Sequence, residues 1–221
     1  SKFEEPFFGL TVRMDCTKAY ETSKSKGSSF FLYYLHSSLL AINSIEPFRY
    51  RIRDNQVLIF DKINASPTIN RENGTFGFSY LDYFEDFIEF EKSAKIEIEK
   101  VRNSTGLIPA GSGENVVHFS SIPWIDFTSL SHARSFSFPD SCPKISFGKV
   151  TESGGIKTMP VSIHVHHALM DGHDVGLFIE AFQKNGEVTD LDVYTKLTLD
   201  YQEVLITFAA PDLTLETHRH I

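Results

Sequence analysis

The residues of this chain best suited to chemistry cluster in one segment, Ser162-Ile163-His164-Val165-His166-His167-Ala168-Leu169-Met170-Asp171-Gly172. The alternation before it and the helical spacing after it place the segment across a strand, a tight turn and a helix start. His167 then stands at the strand end, with Asp171 and Gly172 four and five residues on. A base held rigidly on one side and open on the other suits proton abstraction. Four histidines lie close together here, His164, His166, His167 and His173, and neutral imidazole is a common metal ligand. No metal site is expected, because no His-x-x-x-His pair is followed by an acid at ligand spacing. His164 and His166 share one strand face, where local hydrogen bonds account for them. Ala110-Gly111-Ser112-Gly113 lacks the Gly-Lys-Ser/Thr ending of a phosphate-binding loop. Cys16 and Cys142 have no metal-ligand spacing and read as reduced structural thiols.

The elements that must position His167 are of both kinds. Val12, Met14 and Cys16 alternate with Thr11, Arg13 and Asp15 as in a half-buried strand. Phe31, Tyr34, Leu35, Leu39 and Ile42 recur at helical spacing, and Asn43 with Pro47 ends that helix. Phe48, Tyr50 and Ile52 alternate with arginines, and Asp54-Asn55 turns the chain into Val57–Phe60, a hairpin pattern. A second helix is predicted from Asp82 to about Val101, with Phe84, Phe87, Ile88 and Ile98 near one face. Strands are predicted at Val116–Ser120, Lys144–Thr151 and Lys157–His166, the last two joined across Ser153-Gly154-Gly155. A helix follows Asp171 on Val175, Phe178, Ile179 and Phe182. Without a regular strand-helix alternation, the class is α+β, a mixed sheet with packed helices.

A chain of 221 residues with 41% hydrophobic residues forms one sizeable core. A net charge of -8 with scattered Lys and Arg gives no stripe for nucleic acid. The apolar run Phe30–Ile42 is interrupted by His36, Ser37 and Ser38 and is too short to cross a bilayer. Glu4, Glu5 and Pro6 do not resemble a secretory signal, so a cytoplasmic protein without a membrane partner is expected.

His166-His167-x-x-x-Asp171-Gly172 resembles the signature of the CoA-dependent acyltransferase superfamily. A second block, Phe119-Ser120-Ser121-Ile122-Pro123-Trp124-Ile125-Asp126-Phe127-Thr128-Ser129, resembles the Ser-x-x-Pro-Trp segment of the chloramphenicol acetyltransferases within it. Similarity extends to Phe8-Gly9-Leu10-Thr11, Pro47–Ile52, Phe147-Gly148-Lys149 and Asp171–Gly176, covering about residues 1–184. The resemblance implies acetyl transfer from acetyl-CoA, a co-substrate and not a resident cofactor, to a hydroxyl of chloramphenicol or another small acceptor. His167 is the implied general base. An imidazole titrates at about 6.5 when unperturbed, close to working pH. Ser120 is the implied oxyanion donor. Asp171 acts through local structure, paired in the family with an arginine, and Gly172 serves a tight turn. Phe8 is implied in the acceptor pocket, and Ser146 beside an ordered water near the intermediate. Lys149 is implied near the CoA phosphates. Trp124 and Phe127 either line the site or belong to the core.

The resemblance further implies a homotrimer with interfacial active sites, His167 of one chain facing the acceptor pocket of its neighbour. Such association would also cover some of the 20 Phe. A non-catalytic relative that binds a hydrophobic ligand is the reading from another class. The chain departs from the family at Val150, where relatives carry a tyrosine at the adenine, at Ser29, near an expected lysine, and at His118, where an asparagine adjoins the antibiotic. Ser1 aligns inside the family sequence, so the strand and Arg-x-x-His-Phe segment that would supply the arginine for Asp171 have no match at this end. Leu213–Ile221 is faintly similar to that segment, which makes Arg219 an alternative partner. The catalytic domain is assigned to residues 1–185, with 186–221 a C-terminal segment of the same domain.

Overall fold

A computed structural model describes residues 4–106, 113–133 and 140–187. The chain is organised around a seven-stranded mixed sheet, order β1-β9-β7-β6-β4-β5, with β8 also paired to β9. The strands are β1 (Phe7–Asp15), β4 (Asn64–Asn70), β5 (Phe76–Phe78), β6 (Val116–Ser121), β7 (Lys144–Phe147), β8 (Thr151–Ser153) and β9 (Ile156–His166). β2 (Tyr50–Arg53) and β3 (Gln56–Ile59) form a separate hairpin. The helices are α1 (Thr17–Ser25), α2 (Phe30–Ser44), α3 (Phe87–Arg102) and α4 (Gly172–Glu187). The architecture is α+β with a mixed sheet, as the pattern predicts.

Because side chains alternate along a strand, β9 divides the molecule. Met159, Val161, Ile163 and Val165 are buried on one side. On that side the ring of Phe147 meets both Tyr34 of α2 and Phe182 of α4, so these helices cover the apolar face. Ser162, His164 and His166 point to the opposite side. The pairing sets Thr11, Ser162, Ser146 and Ser120 in one row across four strands. Gly9, His164, Lys144 and His118 form the next row. One face is therefore core and the other polar.

α2 is buried nearly all round and packs against α1, α3 and α4. Its polar residues are bonded in place: Ser37 and Ser38 donate to the Tyr33 and Tyr34 carbonyls, and His36 Nε2 meets the Phe84 and Glu85 carbonyls. No described helix is long and apolar enough to cross a membrane. At the start of α2, Ser29 accepts from Leu32 N as its N-cap. α3 starts at Phe87, capped by Asp86, five residues later than predicted. Its buried face is Phe87, Phe90, Ala94, Ile98 and Val101, whereas Ile88 faces out.

α1, β4 and β5 escape the pattern. α1 buries Ala19, Thr22 and Ser23, too little apolar surface for a helical stripe to show. β4 shows no strand pattern, since it contains Pro67, Asn64 and Ser66, yet all three are buried. Asn64 receives the Tyr83 amide, and the Pro67 carbonyl accepts from Ser79 N. The predicted strand Lys144–Thr151 is broken into β7 and β8 where Gly148 bonds to Pro160 and Lys149 to Ile125. The two hairpin turns have the expected cause, left-handed φ at Asp54 and Asn55 and at Gly154 and Gly155.

In the β2–β3 hairpin the inward residue is Arg51, 1% exposed, and not the Phe48-Tyr50-Ile52 face. Phe48 belongs to a short 3-10 turn, Glu46–Arg49. The Arg51 guanidinium donates to the carbonyls of Phe48, Glu114 and Val116 and so ties the hairpin to the start of β6. Methionine would fill much of the space and leave these carbonyls without their donor. Arg51→Met is expected to lower unfolding stability by about 3 kcal/mol, read as the urea midpoint. A loss below about 1 kcal/mol would show that the carbonyls find other partners.

Candidate active site

His167 follows the last residue of β9, and the chain turns sharply there. Its amide donates to Pro6 O at 2.8 Å, which holds the turn against the start of β1. The His166 carbonyl accepts from Leu169 N and Met170 N, and its Nδ1 accepts from Ala168 N at 3.2 Å. Leu169 and Met170 are buried beneath the turn. The His167 side chain is left exposed. Its Nδ1 lies 3.3 Å from Met170 O. A carbonyl only accepts, so Nδ1 carries the proton in this contact and Nε2 is the basic nitrogen. Phe8 meets the His167 ring edge to face, centroids 5.1 Å apart.

Asp171 begins α4. Its Oδ1 accepts from His173 N at 2.8 Å and Asp174 N at 3.3 Å, while Asp174 Oδ2 accepts from Asp171 N at 2.9 Å. These reciprocal bonds form a capping box. They fix the distance between the turn and the helix without an arginine. Among the described residues no arginine pairs with Asp171, and Arg219 lies outside the described residues with all of 188–221. Gly172 does not make the tight turn expected of it. It has no left-handed φ and is the first residue of α4, where an added Cβ would meet nothing within 4 Å.

Ser120 and Ser146 are direct partners across β6 and β7, with Ser162 next in the row. Ser146 is fully buried and its Oγ has no hydrogen-bond partner. His118 stands one row away on the same face. Past β6, Trp124 is 62% exposed, so it is no core residue. Phe127 is 9% exposed and packs on Gly148, where an added Cβ would come within 2.9 Å of its ring and 2.8 Å of Ile125 O. Asp126 pairs with Arg13 at 2.8 Å, which anchors this loop to β1. Lys149 is solvent-exposed, and its backbone amide donates to Ile125 O.

The predicted residues thus fall into two groups. His167, Phe8 and Asp171 cluster at the end of β9. Ser120, Ser146 and His118 lie on the polar sheet face, with Trp124, Phe127 and Lys149 at the β6 and β7 ends. Ser120 is level with Ser162, two strands away and five residues short of His167. Strand geometry puts that at about 16 Å along the sheet and about 10 Å across it. Within one chain His167 and Ser120 do not reach the same atom. The sequence pattern also misses His132 and Lys144, which lie beside His164 on the polar face. Only pairing of distant strands brings them there. The Gly-rich stretch Ala110–Gly113 lies outside the described residues up to Ser112.

Comparison with known proteins agrees with this architecture. A family model described as chloramphenicol acetyltransferase matches residues 4–183. A chloramphenicol acetyltransferase of Bacillus pumilus is 31% identical over 175 residues, 78% of this chain and 80% of the relative. One from Proteus mirabilis is 29% identical over 185 residues, 82% of this chain and 84% of the relative. A solved chloramphenicol acetyltransferase superposes with a TM-score of 0.76 at 28% identity, covering 83% of this chain and 89% of that one. This chain belongs to the chloramphenicol acetyltransferase family and is an acyltransferase of that class.

Burial holds four imidazoles in their neutral form. Desolvation is the first cause of the lowered pKa at His36, His118, His132 and His164, with Lys144 adding to it at the last three. His132 is pushed down to about 4. In the unfolded chain each takes a proton near its ordinary value of about 6.5, so stability present above that pH is lost as pH falls toward 4. The melting temperature should therefore drop between pH 6.5 and 4, and drop less in His132→Leu. Equal slopes in both proteins would mean that His132 is not excluded from protonation by folding.

Proposed function

We propose that this chain transfers the acetyl group of acetyl-CoA to a hydroxyl of a small acceptor, with chloramphenicol, the compound named in its relatives, as the first acceptor to try. The observation that carries the reading is the His167 turn. A ring tethered through Nδ1 to Met170 O makes Nε2 the basic nitrogen of an exposed residue, and Phe8 walls one side. Nε2 takes the acceptor's hydroxyl proton as that oxygen attacks the thioester carbonyl. A carbon–oxygen bond forms, and the tetrahedral oxyanion collapses by breaking the carbon–sulfur bond. The proton passes from His167 to the departing CoA thiolate, leaving acetylated acceptor and free thiol. Charge on the oxyanion calls for a donor, the role we assign to Ser120. Ser146, buried with an unpartnered hydroxyl in the same row, suits the holding of a water beside that centre. Lys149 and Trp124, both exposed near the β6 and β7 ends, are assigned to acetyl-CoA and to the substrate side respectively. Phe127 is assigned to support beneath them.

The separation of His167 from Ser120 within the chain supports sites built between chains, His167 from one and Ser120 from its neighbour, in a symmetric homotrimer. Asp171 is assigned a positioning role through the α4 cap, and no triad contact is needed.

Release of CoA thiol from acetyl-CoA in the presence of chloramphenicol tests the reaction. His167→Ala is expected to lower it by about a thousandfold, and an unaffected rate would sink the base assignment. Chain sharing has its own test. Equal coexpression of His167→Ala and Ser120→Ala chains should restore about a quarter of wild-type activity if each site draws on two chains. Activity no greater than the sum of the two parents would mean that both residues of a site belong to one chain.

A further inference from the structure

Lys149 lies in the gap between β7 and β8, one residue past Gly148 and two before Thr151. An exposed lysine has many rotamers, so the region its ammonium can reach depends first on how firmly the backbone beneath it is held. Two segments flank it. On one side the Lys149 amide donates to Ile125 O at 2.8 Å, and Ile125 belongs to the loop that follows β6. Gly148 lets that loop lie so close, since an added Cβ would fall 2.8 Å from Ile125 O. On the other side the chain enters β8 at Thr151.

Both segments meet at one guanidinium. Arg13, on β1, donates through Nη2 to Asp126 Oδ1 at 2.8 Å, next to Ile125. Through Nη1 it makes longer contacts, at 3.4 Å, to the hydroxyls of Thr151 on β8 and Thr158 on β9. The arginine fork serves the loop and β8 at once, which the point charge of a lysine does not. The side chains of Arg13 and Asp126 are 43% and 36% exposed, so their pair adds little to global stability. Its effect is local, in setting where two surface segments lie relative to each other.

We propose that Arg13 and Asp126 are positioning residues for acetyl-CoA: their ion pair clasps the loop after β6 to β8 and so fixes the backbone that presents Lys149 to the CoA phosphates. The proposal rests on the acetyl-transfer reading above, which assigns Lys149 to acetyl-CoA. Neither Arg13 nor Asp126 is assigned to the reacting atoms. Opening the clasp therefore weakens donor binding and leaves the chemical step as it is.

Calorimetric titration with CoA reads donor binding without any acceptor. Arg13→Gln and Asp126→Asn should each raise the Kd of CoA about fivefold, and the double variant should bind no more weakly than either single one. Melting temperatures should stay within about 2 °C of the wild type. In thiol release with chloramphenicol, both variants should raise the KM for acetyl-CoA and keep kcat within about twofold. Added to Lys149→Ala, Asp126→Asn should weaken CoA binding no further, because the side chain it positions is gone. A Kd unchanged within about twofold, effects that multiply in the double variant, or further loss on the Lys149→Ala background would overturn the proposal while acetyl transfer stands. Tighter binding in Asp126→Asn would overturn it too, as that is the mark of an Arg13 that meets the phosphates itself. So would a kcat that falls together with the melting temperature, the sign of a purely structural pair. A wild-type chain that binds no CoA would overturn the acetyl-transfer reading, and the proposal with it.

Discussion

The alternation along β9 is the constraint on which the rest of the molecule depends. β9 hydrogen-bonds to β1 on one side and to β7 and β8 on the other, so its pleat sets the two faces of the sheet. Met159, Val161, Ile163 and Val165 join the core built with α2 and α4, and a slip by one residue would expose all four. That register is strongly held by burial. The same pleat sends Ser162 and His164 to the polar face and brings His167 to the point where pairing stops. Core and polar face are therefore alternate residues of one strand.

The turn after β9 shows how little is needed to aim an imidazole once its strand is rigid. Leu169 and Met170 are buried beneath it, Pro6 O receives the His167 amide, and the capping box of Asp171 and Asp174 starts α4 at a set distance. Each contact is local or reaches only to β1. An exposed imidazole on such a support can meet a substrate or a neighbouring chain without the fold itself moving. Membership of the chloramphenicol acetyltransferase family accords with that support, while the residues facing His164 give the polar face a character of its own.

Buried polar groups connect the outlying parts to this sheet. Arg51 ties the β2–β3 hairpin to β6, Asn64 ties β4 to the segment before α3, and His36 ties α2 to the same segment. These are the places where polarity misleads a reading by pattern. Asn64, Ser66 and Pro67 show no strand pattern and form a buried strand, and Arg51 alternates with apolar residues yet is fully enclosed. In each, hydrogen bonds to distant backbone offset desolvation, and a one-dimensional pattern does not contain those partners.

What the amino-acid order determined by itself is what depends on near neighbours. The helices from Phe30 and from Gly172, the two hairpin turns, and the strand ending at His166 follow from apolar spacing and turn chemistry within a few residues. So does the exposure of His167 between a strand and a capped helix. Tertiary structure alone decided which strands lie side by side. It set Ser120, Ser146 and Ser162 in one row and placed His132 on His164 across 32 residues of chain. It also put His167 beyond the reach of Ser120 in the same chain. Pairing between distant segments is selected by the joint burial of whole faces, a property of the assembled sheet that no short stretch of sequence carries.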